Sequence, residues 1–160
     1  MLAYLFWHRP AAGIDRGEYE ARLSAFHQAL GDAVLASAAY RLERLPFTET
    51  DGFEDWYLVE EWGRLGELNA AAVDETRGPP HDGVASLAAE GWGGVYALVS
   101  GEPLPPEGAR WQAKPRGESY ESFLESQSAP SVWQRQMVLG PAPEFCLAEE
   151  RTPGRDRVWP

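Results

Sequence analysis

The feature that most constrains the fold of this chain is an internal repeat. Four patterns occur twice in the same order: an aromatic strand, a helix with Tyr-Glu-x-x-Leu, a second strand, and a strand with acid-aromatic-x-Leu-x-Glu-Glu. The matched segments are 7–10 and 111–115, 19–23 and 120–124, 40–42 and 134–136, and 55–61 and 144–150. Two strand–helix–strand–strand units in one chain predict two half-sheets that pack on each other, with space for a cavity between them.

Local patterns predict the elements of each unit. Asp15 with Glu18 three places later has the form of a capping box at the start of a helix. The first unit is predicted to contain strands at 2–9, 36–47, 54–61 and 95–100 and helices at 16–30, 63–75 and 82–90, with a break at Gly78-Pro79-Pro80. The second unit is predicted to contain strands at 109–114, 131–139 and 143–149 and a helix at 119–127.

These elements divide the chain into four parts. A ferredoxin-like half is predicted at 1–100, a stiff linker with three prolines at 101–108, and a shorter βαββ half at 109–150. The tail at 151–160 is mostly polar, so we expect it to dock loosely or to fray.

The order of these elements and their aromatic strands resemble the dimeric α+β-barrel superfamily, in which two ferredoxin-like sheets face each other from two chains or from a fused pair. The resemblance implies an α+β fold: a ferredoxin-like βαββαβ unit, then a degenerate βαββ repeat, with antiparallel sheets packing as an α+β barrel. A homodimer is compatible with it. Members include small monooxygenases acting on aromatic polyketides, muconolactone-type isomerases and haem-binding enzymes, so the resemblance implies a pocket but no particular reaction.

Composition excludes several classes of partner. The formal net charge of −11 repels nucleic acid and anionic lipid, which need basic patches. No window approaches the ~18 apolar residues of a membrane span, and we expect a soluble cytoplasmic protein. The lone Cys146 lies in an alternating apolar run and is predicted to be a buried thiol in a reducing compartment.

Strand alternation sorts the aromatic strands into two faces. The more apolar set is expected to lie under the helices: Leu5, Trp7, Tyr40, Leu42, Trp56 and Leu58. The other set is expected to face the cavity: Tyr4, Phe6, His8, Arg41 and Tyr57. An apolar pocket with a few convergent polar groups is typical of a small-molecule site.

His8 and Arg41 are the candidate catalytic residues. An imidazole titrates near neutrality and can exchange a proton with a bound phenol or enol, whereas a guanidinium can hold an enolate or carboxylate oxygen. Arg135 is the repeat counterpart of Arg41 and, with Tyr4, Phe6 and Tyr57, is a candidate substrate-binding residue. The alternatives are that His8 is a half-exposed residue at a strand end and that Arg41 forms an ion pair with Glu43 or another local acid.

Other kinds of site have little support in the sequence. His8, His27 and His81 lack the spacing of metal ligands, and His27 is interpreted as a core or helix-end residue. No phosphate-binding glycine motif and no nucleophile elbow is present, so neither a cofactor nor a metal is predicted.

Three functions remain open at this point. The first is a cofactor-free enzyme, of oxygenase or isomerase type, that acts on a small aromatic or enolisable compound. The second is a non-catalytic protein that binds an apolar metabolite in the same pocket. The third is a structural or partner-binding module with a solid core.

Overall fold

The computed structural model describes residues 1–160, apart from the side chain of Leu139. Its strands are β1 (Leu2–Pro10), β2 (Ala36–Leu42), β3 (Gly52–Val59), β4 (Ala88–Gly101), β5 (Gly108–Gln112), β6 (Ser131–Leu139), β7 (Phe145–Glu149) and β8 (Arg155–Trp159). Its helices are α1 (Arg16–Leu30), α2 (Trp62–Ala72), α3 (Gly78–Ala85) and α4 (Tyr120–Glu125), and a 3-10 turn spans Gly31–Ala33.

The eight strands form one antiparallel sheet in the order β5-β7-β6-β4-β1-β3-β2-β8. Trp7 on β1 and Trp111 on β5 are four strand positions apart, which is about 19 Å in a flat sheet. Their ring centroids nevertheless lie 5.3 Å apart. The sheet therefore curls strongly, and the predicted α+β class with antiparallel strands is confirmed as a curled half-barrel with four helices.

The two faces of the sheet bury different side chains. The concave face is packed with tryptophan, and Trp56 meets Trp133 across it at a centroid distance of 5.6 Å. The convex face is covered by α1, α2 and α3, whose apolar residues pack on the side chains of β1, β3 and β4. A small separate cluster lies under α4 and contains Phe123, Val132, Phe145 and Leu147.

The helices cover the face opposite to the one expected from the sequence. Tyr19, Leu23 and Phe26 of α1 pack in the same cluster as Tyr57 of β3. The more apolar set, which includes Trp7 and Trp56, is instead buried by the curling of the sheet. A sheet that covers its own apolar face needs no helix there, and composition alone could not reveal this.

Local sequence explains where the helices begin. Asp15 precedes α1 and its side chain accepts a hydrogen bond from the backbone N–H of Glu18 at 2.9 Å, as the capping box predicts. The predicted break at Gly78-Pro79-Pro80 is instead the first turn of α3. Proline is tolerated there because the N–H that it lacks would have no partner within the helix.

The tail does not fray as expected, because residues Arg155–Trp159 form β8 and pair with β2. Arg155 is buried, with its guanidinium carbon 3.6 Å from the ring centroid of Tyr40. It also donates a hydrogen bond to Glu54 Oε1 at 2.7 Å. A charged residue therefore anchors the last strand. No helix in the described part of the chain has both the length and the hydropathy to cross a membrane.

Candidate functional site

A cavity of about 640 Å³ lies between the helices and the convex face of the sheet. Its walls are largely aliphatic and aromatic, and they include Phe6, Leu23, Phe26, Leu68, Val84 and Val95. The outer part of the cavity is lined by three exposed apolar side chains, those of Trp62 (50% exposed), Val73 (60%) and Met137 (57%). The cavity is thus large enough for a small organic molecule and has an apolar mouth.

Tyr4 and Phe6 form the β1 wall of this cavity, and glycines on β4 make room for their rings. The Tyr4 ring is near-parallel to those of Phe6 and Tyr57, at centroid distances of 6.3 and 6.1 Å. A Cβ at Gly93 would lie 2.9 Å from the Tyr4 hydroxyl, and a Cβ at Gly91 would collide with the Phe6 ring. The glycines of β4 therefore allow a flat aromatic wall.

His8 lies in the wall of the cavity and is 2% exposed. Its Nε2 atom is 2.9 Å from Asp55 Oδ2, and its Nδ1 atom is 2.6 Å from the hydroxyl oxygen of Tyr19. Pairing of β1 with β3 sets Phe6 opposite Asp55, so the carboxylate shares the face of His8. Tyr19 belongs to α1, which packs on this face of the sheet. The alternative of a half-exposed strand end is wrong, because His8 is a buried imidazole with a hydrogen-bond partner at each ring nitrogen.

Asp55 is a buried carboxylate that stays ionised. Burial alone raises the pKa of this carboxyl, but the imidazoles of His8 and His27 outweigh that effect and hold it below its usual range. The hydroxyl of Tyr57 also donates to Asp55 Oδ2 at 2.9 Å. An ionised carboxylate can only accept, so His8 Nε2 carries the proton of this hydrogen bond.

The two tyrosines beside this carboxylate keep their protons. Burial, and then the charge of Asp55, raise the pKa of both Tyr19 and Tyr57. When His8 is neutral, which is the form that can accept a proton, the hydrogen bond to Asp55 places its proton on Nε2 and leaves a lone pair on Nδ1. In that form the Tyr19 hydroxyl donates to Nδ1, and the sequence of donors is Tyr19 to His8 to Asp55.

His27 lies behind the carboxylate and does not line the cavity. Its Nε2 atom is 3.5 Å from Asp55 Oδ1 and 3.4 Å from the Tyr57 hydroxyl, which is long for a hydrogen bond. Its Nδ1 atom has no hydrogen-bond partner among the described residues. His27 is therefore a buried residue near the end of α1, as the sequence predicts, but one of its ring nitrogens has no hydrogen-bond partner among the described residues.

Arg41 does not lie in this cavity. Its guanidinium forms ion pairs with Glu20 at 2.9 Å and Asp156 at 2.7 Å, and its side chain is 36% exposed. Hydrogen bonds to Asp156 and then to Glu20 raise its pKa. The alternative to catalysis was an ion pair with Glu43 or another local acid. The partners are instead acids from α1 and β8, which are distant in the sequence.

Arg135 lies on the other face of the sheet. It pairs opposite Tyr96, whose ring belongs to the concave cluster, and it donates a hydrogen bond to the carbonyl of Ala142. Arg41 on β2 lies opposite Phe53 on β3. When Phe145 on β7 is matched with Phe53, the residue opposite it on β6 is Gln134 and not Arg135. The motif match was one residue out of register, and a one-residue slip turns a side chain to the opposite face.

Sequence reasoning did not single out Asp55 or Tyr19 as site residues. Extending the alternation of β3 two residues back from Tyr57 places Asp55 on the cavity face, where a lone acid among aromatic residues is unusual. Tyr19 was assigned only to the apolar face of α1. Its hydrogen bond to His8 depends on how the helix docks, for which the sequence carries no local signal.

The remaining reactive side chain is the thiol of Cys146. Burial raises the pKa of the Cys146 thiol far above its usual value, so it remains a protonated residue of the concave core. Within the described residues, no three His, Cys, Asp or Glu side chains are arranged to hold a metal ion.

No protein-family model matches the chain, and comparisons with curated proteins and with solved structures found no match.

Proposed function

We propose that this protein is a cofactor-free enzyme that moves a proton to or from a small aromatic or enolisable compound. The observation that carries the proposal is a hydrogen-bonded His8–Asp55 pair in the wall of an apolar cavity of about 640 Å³. An imidazole backed by a buried carboxylate can accept a proton, because the carboxylate stabilises the imidazolium that forms. Proton removal is a common first step in both isomerisation and oxygenation of such compounds.

The aromatic wall supports this class of ligand. Tyr4, Phe6 and Tyr57 offer near-parallel ring faces, against which a planar ring can pack. Arg41 takes no part in this proposal, because its ion pairs with Glu20 and Asp156 hold it outside the cavity.

We also propose that the fold is a fused pair of ferredoxin-like units. The first unit has the strand order β4-β1-β3-β2, and the second begins β5-β7-β6, which is the same arrangement when β5, β6 and β7 are matched with β1, β2 and β3. In this interpretation β8 takes the place of the fourth strand of the second unit. Solving an experimental structure and superposing the two halves would test this assignment.

The spectrum of 4-nitrophenol tests the proposed chemistry, because its phenol and phenolate forms absorb at different wavelengths. At a pH where the free probe is mostly protonated, we expect the bound probe to show at least a roughly tenfold higher phenolate-to-phenol ratio, equivalent to about one pKa unit. His8→Gln should bind the probe and lose this excess. Arg22→Gln is the control, since Arg22 is exposed and pairs with Glu18 on the outer side of α1.

The outcomes separate the functions considered. Excess phenolate that depends on His8 supports proton transfer in the cavity. Binding without excess phenolate would contradict the enzyme and favour a non-catalytic binding protein. Absence of binding to the wild-type protein would contradict both and favour a structural module. A denaturant midpoint for each variant verifies that lost ionisation does not reflect unfolding.

A further inference from the structure

Both ring nitrogens of His8 are already occupied by protein groups. In the neutral form of His8, Nε2 donates to Asp55 at 2.9 Å, and Nδ1 accepts from the Tyr19 hydroxyl at 2.6 Å. The imidazole is therefore close to the cavity but has no nitrogen free to meet a ligand. A proton from a bound molecule must reach His8 through one of these two partners. Asp55 also lines the cavity, but its pKa is held below the usual range, so it is a weak base.

Tyr19 is the partner that can both meet a ligand and pass a proton to the ring. It lines the cavity together with His8, and it comes from the helix that roofs the convex face of the sheet. A phenolic oxygen has one proton and two acceptor lone pairs. The Tyr19 proton is committed to His8, so its oxygen can still accept a hydrogen bond from a ligand.

We propose that Tyr19 is the catalytic residue that contacts the substrate and that His8 acts through it. The substrate class that this geometry suits is an uncharged phenol or enol, which presents an acidic O–H group to the Tyr19 oxygen. This inference rests on the proposed function, because it assigns the route by which His8 receives a proton.

The proton transfer balances without any further reactant. The substrate O–H bond breaks as a new O–H bond forms at Tyr19, and the original Tyr19 O–H bond breaks as the Nδ1–H bond of His8 forms. The products are a phenolate or enolate and an imidazolium, while Asp55 remains a carboxylate throughout. Because burial raises the pKa of Tyr19, the two transfers are concerted, and no free tyrosinate accumulates.

The lining of the cavity favours a ligand that arrives without charge. Among the described residues that line it there is no lysine or arginine, and Asp55 is the one carboxylate. An anionic group entering this apolar space would lose its hydration without a permanent positive partner. A neutral hydroxyl compound avoids that cost, and its charge forms only as the imidazolium forms beside it.

Tyr19→Phe distinguishes a relay from direct contact with His8. The variant keeps the ring, His8 and Asp55 and removes only the oxygen through which the proton passes. With 4-nitrophenol as the probe, we expect binding to change by less than about threefold. The phenolate-to-phenol ratio of the bound probe should fall at least about tenfold, because the variant lacks the Tyr19 O–H group that forms in the transfer and donates a hydrogen bond to the phenolate. Tyr120→Phe is the matched control, since Tyr120 is the repeat counterpart of Tyr19 and lies exposed on α4, outside the cavity.

The double variant His8→Gln/Tyr19→Phe sharpens the test. If both residues belong to one relay, the double variant loses no more phenolate than either single variant. Undiminished phenolate in Tyr19→Phe, in a protein with wild-type denaturant midpoint, would overturn the relay while leaving the role of His8 intact. Absence of excess phenolate in the wild-type protein would overturn both proposals.

Discussion

Glu54 and Asp55 are neighbours in the sequence, and both are buried, yet they lie on opposite faces of the sheet. Glu54 belongs to the concave face, where it accepts hydrogen bonds from Trp7 and Trp56 at 2.8 and 2.6 Å and from Arg155. Asp55 belongs to the convex face beside the cavity. Its short hydrogen bonds come from an imidazole and a phenol.

The comparison shows that burial of an acid does not by itself mark a functional site. Indole and guanidinium groups keep their protons across the physiological pH range, so the Glu54 cluster holds a fixed charge arrangement. Imidazole is the side chain whose ordinary pKa lies near neutrality, so the Asp55 cluster can change its protonation state. The chemistry of the donors therefore separates a structural carboxylate from a candidate catalytic one.

Arg155→Ala is expected to have the largest effect on stability. Arg155 and Glu54 are 2% and 0% exposed, and removing one partner leaves the other charge buried and unpaired. The free energy of unfolding should fall by about 3–5 kcal/mol, measured by urea denaturation at pH 7. Arg157→Ala is the matched control on the same strand, because the ion pair of Arg157 with Glu107 is partly exposed and not buried.

The outcome of this substitution bears directly on the comparison. If Arg155→Ala loses no more stability than Arg157→Ala, the Glu54 cluster is not the anchor of the last strand. The phenolate spectrum of 4-nitrophenol should be unchanged in Arg155→Ala under conditions where the protein remains folded, because Arg155 lies on the face away from the cavity.

Asp55→Asn is expected to have an intermediate effect on stability and to abolish proton transfer. The folded protein holds the pKa of Asp55 below its usual range, so ionised Asp55 stabilises the fold. We expect the variant to lose about 1–3 kcal/mol at pH 7. It should also lose the excess phenolate of bound 4-nitrophenol, since the imidazolium would have no carboxylate behind it.

The pH dependence of this difference has a definite sign. For a carboxyl whose pKa is lower in the folded state, the stabilisation is complete above the unfolded pKa of about 3.9 and is lost as pH falls toward the folded value. The difference in unfolding free energy between wild type and Asp55→Asn should therefore narrow as pH falls below about 4. A difference that instead widens below about pH 4 would contradict a depressed pKa.

Local patterns in the sequence predicted which residues share a face but not what covers that face. The period-2 alternation of β1 and β3 placed Tyr4, Phe6, His8 and Tyr57 together, and all four line the cavity. The cavity was expected between two half-sheets, on the face away from the helices, but it lies under the helices, and the other face is filled by tryptophan. Alternation succeeds here because a strand has only two faces, so every second side chain of β1 lies on the same face as Tyr4. The same rule placed Glu54 with Trp56 on the other face.

The parts that could not be predicted depend on contacts between distant residues. Arg155 bonds Glu54 across 101 positions, and a mostly polar tail thereby becomes a strand paired with β2 in which Arg155 alone is buried. Arg41 shares the cavity face by alternation, but acids on α1 and β8 hold it at the edge of the sheet. Alternation determines on which side of a sheet a residue lies but does not determine how far it lies from the centre.

Arg41→Gln is expected to have the smallest effect, and it tests how far the site extends across the convex face. The ion pairs of Arg41 with Glu20 and Asp156 are partly exposed, and such pairs contribute less than about 1 kcal/mol to stability. We expect a change of that size in urea denaturation and no change in the affinity for 4-nitrophenol or in its ionisation. A loss of excess phenolate comparable to that of Asp55→Asn would mean that the charge of Arg41 acts on the cavity, and the site would then have to include the edge formed by β2 and β8.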